Sequence, residues 1–66
     1  MTEYRLNGES LPFEQVTMDE LVARLAAAPQ GVAVARNGRV VPRRDWQRVQ
    51  VEVDDEIEIV VAVQGG

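Results

Sequence analysis

Ile57-Glu58-Ile59-Val60-Val61-Ala62-Val63 is the most apolar run of the chain, and Gln64-Gly65-Gly66 follows it directly. Ile57, Ile59, Val61 and Val63 share one face of a strand at period 2. Glu56 and Glu58 begin the other face, which turns apolar at Val60 and Ala62. An apolar second face is what a strand shows when it is covered on both sides, so this strand is expected in the middle of its sheet. Gly65 and Gly66 carry no Cβ and can enter a slot too narrow for side chains. A diglycine end is also compatible with a frayed terminus, so its meaning depends on what the rest of the chain builds.

Upstream, Glu3-Tyr4-Arg5-Leu6 alternates polar and apolar residues, and Glu9-Ser10-Leu11-Pro12-Phe13 resumes the pattern after Asn7-Gly8. Asn-Gly suits a two-residue type I′ turn, so this segment reads as a β-hairpin. Thr17 with Glu20 three residues on forms a capping box, and Val16 against Leu21 a hydrophobic staple. Met18, Leu21, Val22 and Leu25, extended by Ala26, give one apolar stripe on a helix of about ten residues that Pro29 and Gly31 terminate. Val32 to Arg36 reads as a strand, Asn37-Gly38 as a second tight turn, and Arg39-Val40-Val41 as its return, ended by Pro42. A short helical turn capped near Asp45 is expected next, then a short strand through Val49, Val51 and Val53. Asp54-Asp55 turns the chain into the last strand.

The order β-β-α-β-β, with one helix to cover one sheet, predicts an α+β fold. With the last strand central and parallel to the first, this is the β-grasp or ubiquitin-like arrangement, a mixed β-sheet covered by one main α-helix. Residues 1–63 are expected to form the domain, with residues 64–66 as a flexible C-terminal tail ending in Gly-Gly.

Sixty-six residues leave room for one domain, and without Cys or His no disulfide or zinc site can staple it. The missing thiol and imidazole also leave no usual nucleophile or base, and Ser10 is the sole serine, so no catalytic triad can be assembled. No apolar run reaches the ~20 residues of a spanning helix. The acidic start Met1-Thr2-Glu3 shows no signal peptide, so a cytoplasmic location is expected. A net charge of −4 disfavours nucleic acid and anionic membrane as partners. All seven basic residues are Arg, so copies of this chain cannot be linked to one another through lysine.

Glu52, Asp54, Asp55, Glu56 and Glu58 fit no EF-hand spacing and read as a solvated acidic patch or a docking surface rather than a metal site. Five of the seven arginines, Arg36, Arg39, Arg43, Arg44 and Arg48, fall within thirteen residues and read as a salt-bridged or docking face. Trp46 is expected to plug the core with its N–H turned to solvent or a carbonyl. What remains is the carboxylate of Gly66. A carboxylate becomes electrophilic once adenylated, and attack of a sulfur donor on the adenylate leaves a thiocarboxylate.

Val34-Ala35-Arg36-Asn37-Gly38-Arg39-Val40-Val41-Pro42-Arg43-Arg44-Asp45-Trp46, Asp55-Glu56-Ile57-Glu58-Ile59 and Val63-Gln64-Gly65-Gly66 together resemble the ThiS family, the sulfur carriers of thiamine (thiazole) biosynthesis. The resemblance runs the length of the chain. It implies a β-grasp sulfur carrier that is not itself an enzyme and needs no cofactor. It also implies that Gly66 is the residue adenylated and converted to a thiocarboxylate, with Gly65, Gln64 and Val63 recognised as its tail. The implied partners are a ThiF-type adenylyltransferase, a ThiG-type thiazole synthase and a sulfur donor such as a cysteine desulfurase. One position departs: the family commonly has Gly-Asp before the last strand, and here Asp54 stands for the Gly, a residue that tolerates left-handed conformations better than most. The diglycine end is shared with the small subunit of molybdopterin synthase and with ubiquitin-like modifiers. A carrier for molybdopterin or tRNA thiolation, a single-conjugation protein tag and a bare docking module therefore remain as alternatives.

Overall fold

The computed structural model describes residues 2–61. Its strands are β1 (Glu3–Leu6), β2 (Glu9–Pro12), β3 (Val32–Arg36), β4 (Arg39–Val40) and β5 (Glu56–Val61), with one helix, α1 (Met18–Leu25), and a 3-10 turn over Arg43–Asp45. They form a five-stranded sheet in the order β2-β1-β5-β3-β4. The last strand is therefore central, parallel to β1 through Arg5–Glu56 and Leu6–Ile57 and antiparallel to β3 from Arg36–Ile57 to Val32–Val61. This is the expected β-grasp sheet.

Both hairpins turn on Asn-Gly with positive φ at each central residue, 52° and 83° at Asn7 and Gly8, 53° and 82° at Asn37 and Gly38. Positive φ at both positions is what a type I′ turn demands and what Asn and Gly tolerate. The Thr17 hydroxyl accepts from the Glu20 N–H at 3.2 Å, and Glu20 accepts from the Thr17 N–H at 3.0 Å, closing the capping box. Met18, Leu21 and Val22 face the sheet and meet Tyr4, Val34, Ile57 and Ile59 in one core. Trp46 joins that core at 2% exposure, and its indole N–H donates to the Val41 carbonyl at 2.9 Å.

Four expectations need correction. The helix has eight residues rather than about ten. Its apolar stripe is fully buried only to Val22: Leu25 is 45% exposed, and Ala26, half-buried against the core, has already left the helix as its extended C-cap. The segment Val49–Val53 is not a strand: it makes one isolated bridge, Gln50 to Thr17, and seals the helix entrance as Met18 N–H donates to Val49 O at 2.9 Å and Val51 N–H to Val16 O at 2.9 Å. Asp45 ends the 3-10 turn instead of capping it; Pro42 holds the N-cap position, and Asp45 accepts from Arg48 at 2.6 Å. Finally, β5 is covered on one face only. Eight helical residues span about 12 Å while six strand residues span about 20 Å, so one helix cannot shield the whole strand. Val60 on the open face is 61% exposed, and Val61, on the helix side but past its reach, is 43% exposed.

Candidate functional site

The region that matters is β5, because Val63, Gln64, Gly65 and Gly66, the residues in which the sequence concentrates its chemistry, continue from it. All four lie outside the described residues. The structure does describe how the strand that precedes them is held, and the holding is uneven along its length.

At its start, β5 is clasped by polar side chains. Asp55, 4% exposed, accepts hydrogen bonds from Arg36 Nε at 2.8 Å, Asn37 Nδ2 at 2.9 Å and the Glu52 N–H at 2.8 Å. Burial alone would push the Asp55 carboxyl up. The Glu52 N–H, the Asn37 amide and the Arg36 guanidinium outweigh it and hold the group below its ordinary value. Asp55 in turn raises the Arg36 guanidinium, which also reaches Glu52 at 2.8 Å. Asp55 is thus no part of a solvated acidic patch. Asp54 before it takes φ of 68°, the left-handed conformation that glycine would take there without strain. Among the described residues, no three acidic side chains converge where a metal ion could be held.

The two turn asparagines, read from sequence as turn formers, also grip β5 from either side. Asn37 accepts from the Glu56 N–H at 2.8 Å and donates its backbone N–H to Glu56 O at 2.8 Å. Asn7 accepts from the Ile59 N–H at 2.8 Å and donates Nδ2 to Ile59 O at 3.2 Å, while its own N–H donates to Ile57 O at 2.8 Å. The Asn7 side chain therefore acts as one more rung where β1 has ended. Nothing local announces this, since the partners are 52 residues apart.

At its other end, β5 pairs through Val60 and Val61 with β3 alone among the described residues. Of the acidic run, Glu52, Asp54, Asp55 and Glu56 sit before or at the first residue of the strand, with Glu56 five strand steps or roughly 17 Å from Val61, and Glu58 is three steps or roughly 10 Å from it. The arrangement can fix one end of a strand firmly and present the other.

A model of the ThiS family matches residues 2–66. Thiazole synthases of Magnetococcus marinus and Paramagnetospirillum magneticum are 42% and 36% identical to it over 62 residues. Those alignments cover 92% of this chain and 19% of each relative, so the chain spans about a fifth of the length of the curated relatives it matches. The crystal structure of the thiamine biosynthesis protein (ThiS) from Geobacter metallireducens is similar with a TM-score of 0.76 at 26% identity, covering 97% of this chain and 99% of that chain. No helix among the described residues is long and apolar enough to cross a membrane.

Proposed function

The chain belongs to the ThiS family, and from that membership we propose that it is a sulfur carrier for the thiazole of thiamine, a substrate of enzymes rather than an enzyme. The observation that carries this reading is the family match running through Gln64-Gly65-Gly66, which in sequence follow the strand at the centre of the sheet. The Gly66 carboxylate attacks the α-phosphorus of ATP in a ThiF-type adenylyltransferase and releases pyrophosphate. A sulfide-level donor then attacks the glycyl carbonyl and expels AMP, leaving the thiocarboxylate. If the sulfur arrives as a persulfide, from a cysteine desulfurase for example, a second thiol must cleave the sulfur–sulfur bond in a two-electron reduction. A ThiG-type thiazole synthase takes the sulfur.

Position rather than side-chain chemistry suits Gly66 to this role, because nothing branches beside its carbonyl and Gly65 lets the tail thread a narrow channel. Val63 and Gln64 serve as recognition residues of that tail. The reading requires the mature protein to end at Gly66 with a free carboxylate. Its test is the intact mass after incubation with the ThiF-type enzyme, ATP and a sulfur donor. One sulfur replacing one oxygen is expected; an unchanged mass, or addition of a whole partner protein, would contradict it.

A further inference from the structure

Seven arginines divide into two groups once the ion pairs are drawn. Arg5, Arg24, Arg36 and Arg48 each lie within 4.0 Å of a carboxylate. No such pair is formed by Arg39, Arg43 or Arg44 among the described residues, which include every acidic side chain of the protein. Arg39 lies beside Arg36 at the far turn. Arg43 and Arg44 lie elsewhere. The β3–β4 pairing runs on past Val40, as Val41 N–H donates to Val34 O at 2.8 Å, and after Pro42 the chain enters the 3-10 turn at Arg43, so Arg43 and Arg44 follow on toward the Val32 end of β3. Val32 is paired with Val61, the last described residue of β5. The Val32 end of β3 is therefore also the Val61 end of β5, and β3 lies between β5 and β4 in the sheet. The same two arginines line an open cleft with Gln47, Pro29 and Asp19, and Pro29 itself accepts the Val32 N–H at 3.3 Å. Two exposed arginines in a protein of net charge −4 therefore lie toward the Val61 end of the sheet, the end from which the sequence continues to Gly66.

We infer that Arg43 and Arg44 form a docking surface for a carboxylate-bearing protein face beside the channel that receives the tail, and that this face belongs to the thiazole synthase. Any enzyme acting on Gly66 must approach this end of the molecule, and guanidinium forks match carboxylates bidentately. Nucleic acid fits less well, since Trp46 and Tyr4 are buried and leave no aromatic platform beside the arginines. The choice of the synthase rests on the carrier reading and on the two thiazole synthases that contain a stretch 42% and 36% identical to this chain; the surface does not. The test is calorimetric titration of the full chain into a purified ThiG-type thiazole synthase. At 0.1 M salt, where screening acts over about 10 Å, R43E/R44E should raise Kd about tenfold, and R43K/R44K should recover most of the loss. At 1 M salt, with a screening length of about 3 Å, the variants should converge. Both side chains are exposed, so thermal melts of the variants should match the unmodified protein. Kd within twofold of the unmodified value for R43E/R44E, or a loss confined to the ThiF-type enzyme, would overturn the inference while leaving the carrier reading intact. If the unmodified chain fails to bind the synthase the inference also falls, and the sulfur-for-oxygen mass change then decides separately whether the carrier reading falls with it.

Discussion

The two ends of β5 are built from different chemistry. Its first four residues and the loop before them are tied by Asp55, Arg36, Asn37 and Asn7 through seven side-chain hydrogen bonds, three of which reach β5 itself, at the Glu56 N–H and at the N–H and carbonyl of Ile59. Its last residues, Val60 and Val61, pair with β3 alone among the described residues and are 61% and 43% exposed. One end resists being pulled from the sheet, and the other can be offered to a partner without dismantling the core. A strand equally buried throughout could not offer its end this way.

The sharpest way to break this contrast is to place the same charge at adjacent positions of the strand. Ile59→Asp puts a carboxylate at a site 5% exposed with no partner for it, and Val60→Asp puts one on the open face. Burying an unpaired carboxylate costs several kcal/mol, comparable to the roughly 3–5 kcal/mol that a core of this size can supply. Circular dichroism should find Ile59→Asp unfolded and Val60→Asp folded; two folded proteins would deny that β5 is buried on the helix side.

A smaller effect is expected at the clasp. Asp55→Asn should destabilise by about 2 kcal/mol, lowering Tm by about 8–16 °C in a domain of this size. Because the folded Asp55 carboxyl is held below its ordinary value, its contribution is fully present above that value and is lost as pH falls through the depressed one. Glu14, held down to about 2 first by Arg24 and then by the Tyr4 hydroxyl, titrates in the same direction, although it is exposed and its share is small. Melts recorded from pH 6 downward should therefore lose stability more steeply for the unmodified protein than for Asp55→Asn. Parallel curves would remove Asp55 from the account.

Smaller still is the effect of the Asn7 rung. Asn7→Ala loses its hydrogen bonds and strains a residue at φ of 52°, for about 1–2 kcal/mol in all, whereas Asn7→Gly loses the bonds and keeps the turn. Denaturant midpoints should rank the native protein above Asn7→Gly and Asn7→Gly above Asn7→Ala. Equal midpoints for Asn7→Gly and the native protein would reduce Asn7 to turn geometry.

Those asparagines mark the boundary of what the sequence makes legible. Asn7-Gly8 and Asn37-Gly38 announce their turns because φ preference is local, and Thr17 with Glu20 announces the helix start for the same reason. The central place of β5 follows from its apolarity. Asp55 is different: its burial is licensed by Arg36 and Asn37, 19 and 18 residues upstream, and no local pattern separates it from the exposed acids beside it. Alternation at Val49, Val51 and Val53 cannot say whether a sheet edge is available, and here those residues close the helix entrance instead. Two apolar faces on β5 suggest two covers, but there is a single α-helix among the described residues, too short to shield even one face throughout.

The central claim, that the protein acts through a glycyl carboxylate presented beyond a firmly held strand, is tested most directly by adding one alanine after Gly66. The extra residue moves the terminal carboxyl roughly 3.3–3.6 Å along an extended chain and puts a methyl beside it. Misplacement of about 1 Å can cost on the order of 100-fold in rate, so ATP–pyrophosphate exchange with a ThiF-type enzyme should fall by at least that factor. The thermal melt should not change, because the addition lies beyond the buried part of β5. A protein that melts normally and still exchanges at the native rate would contradict the account.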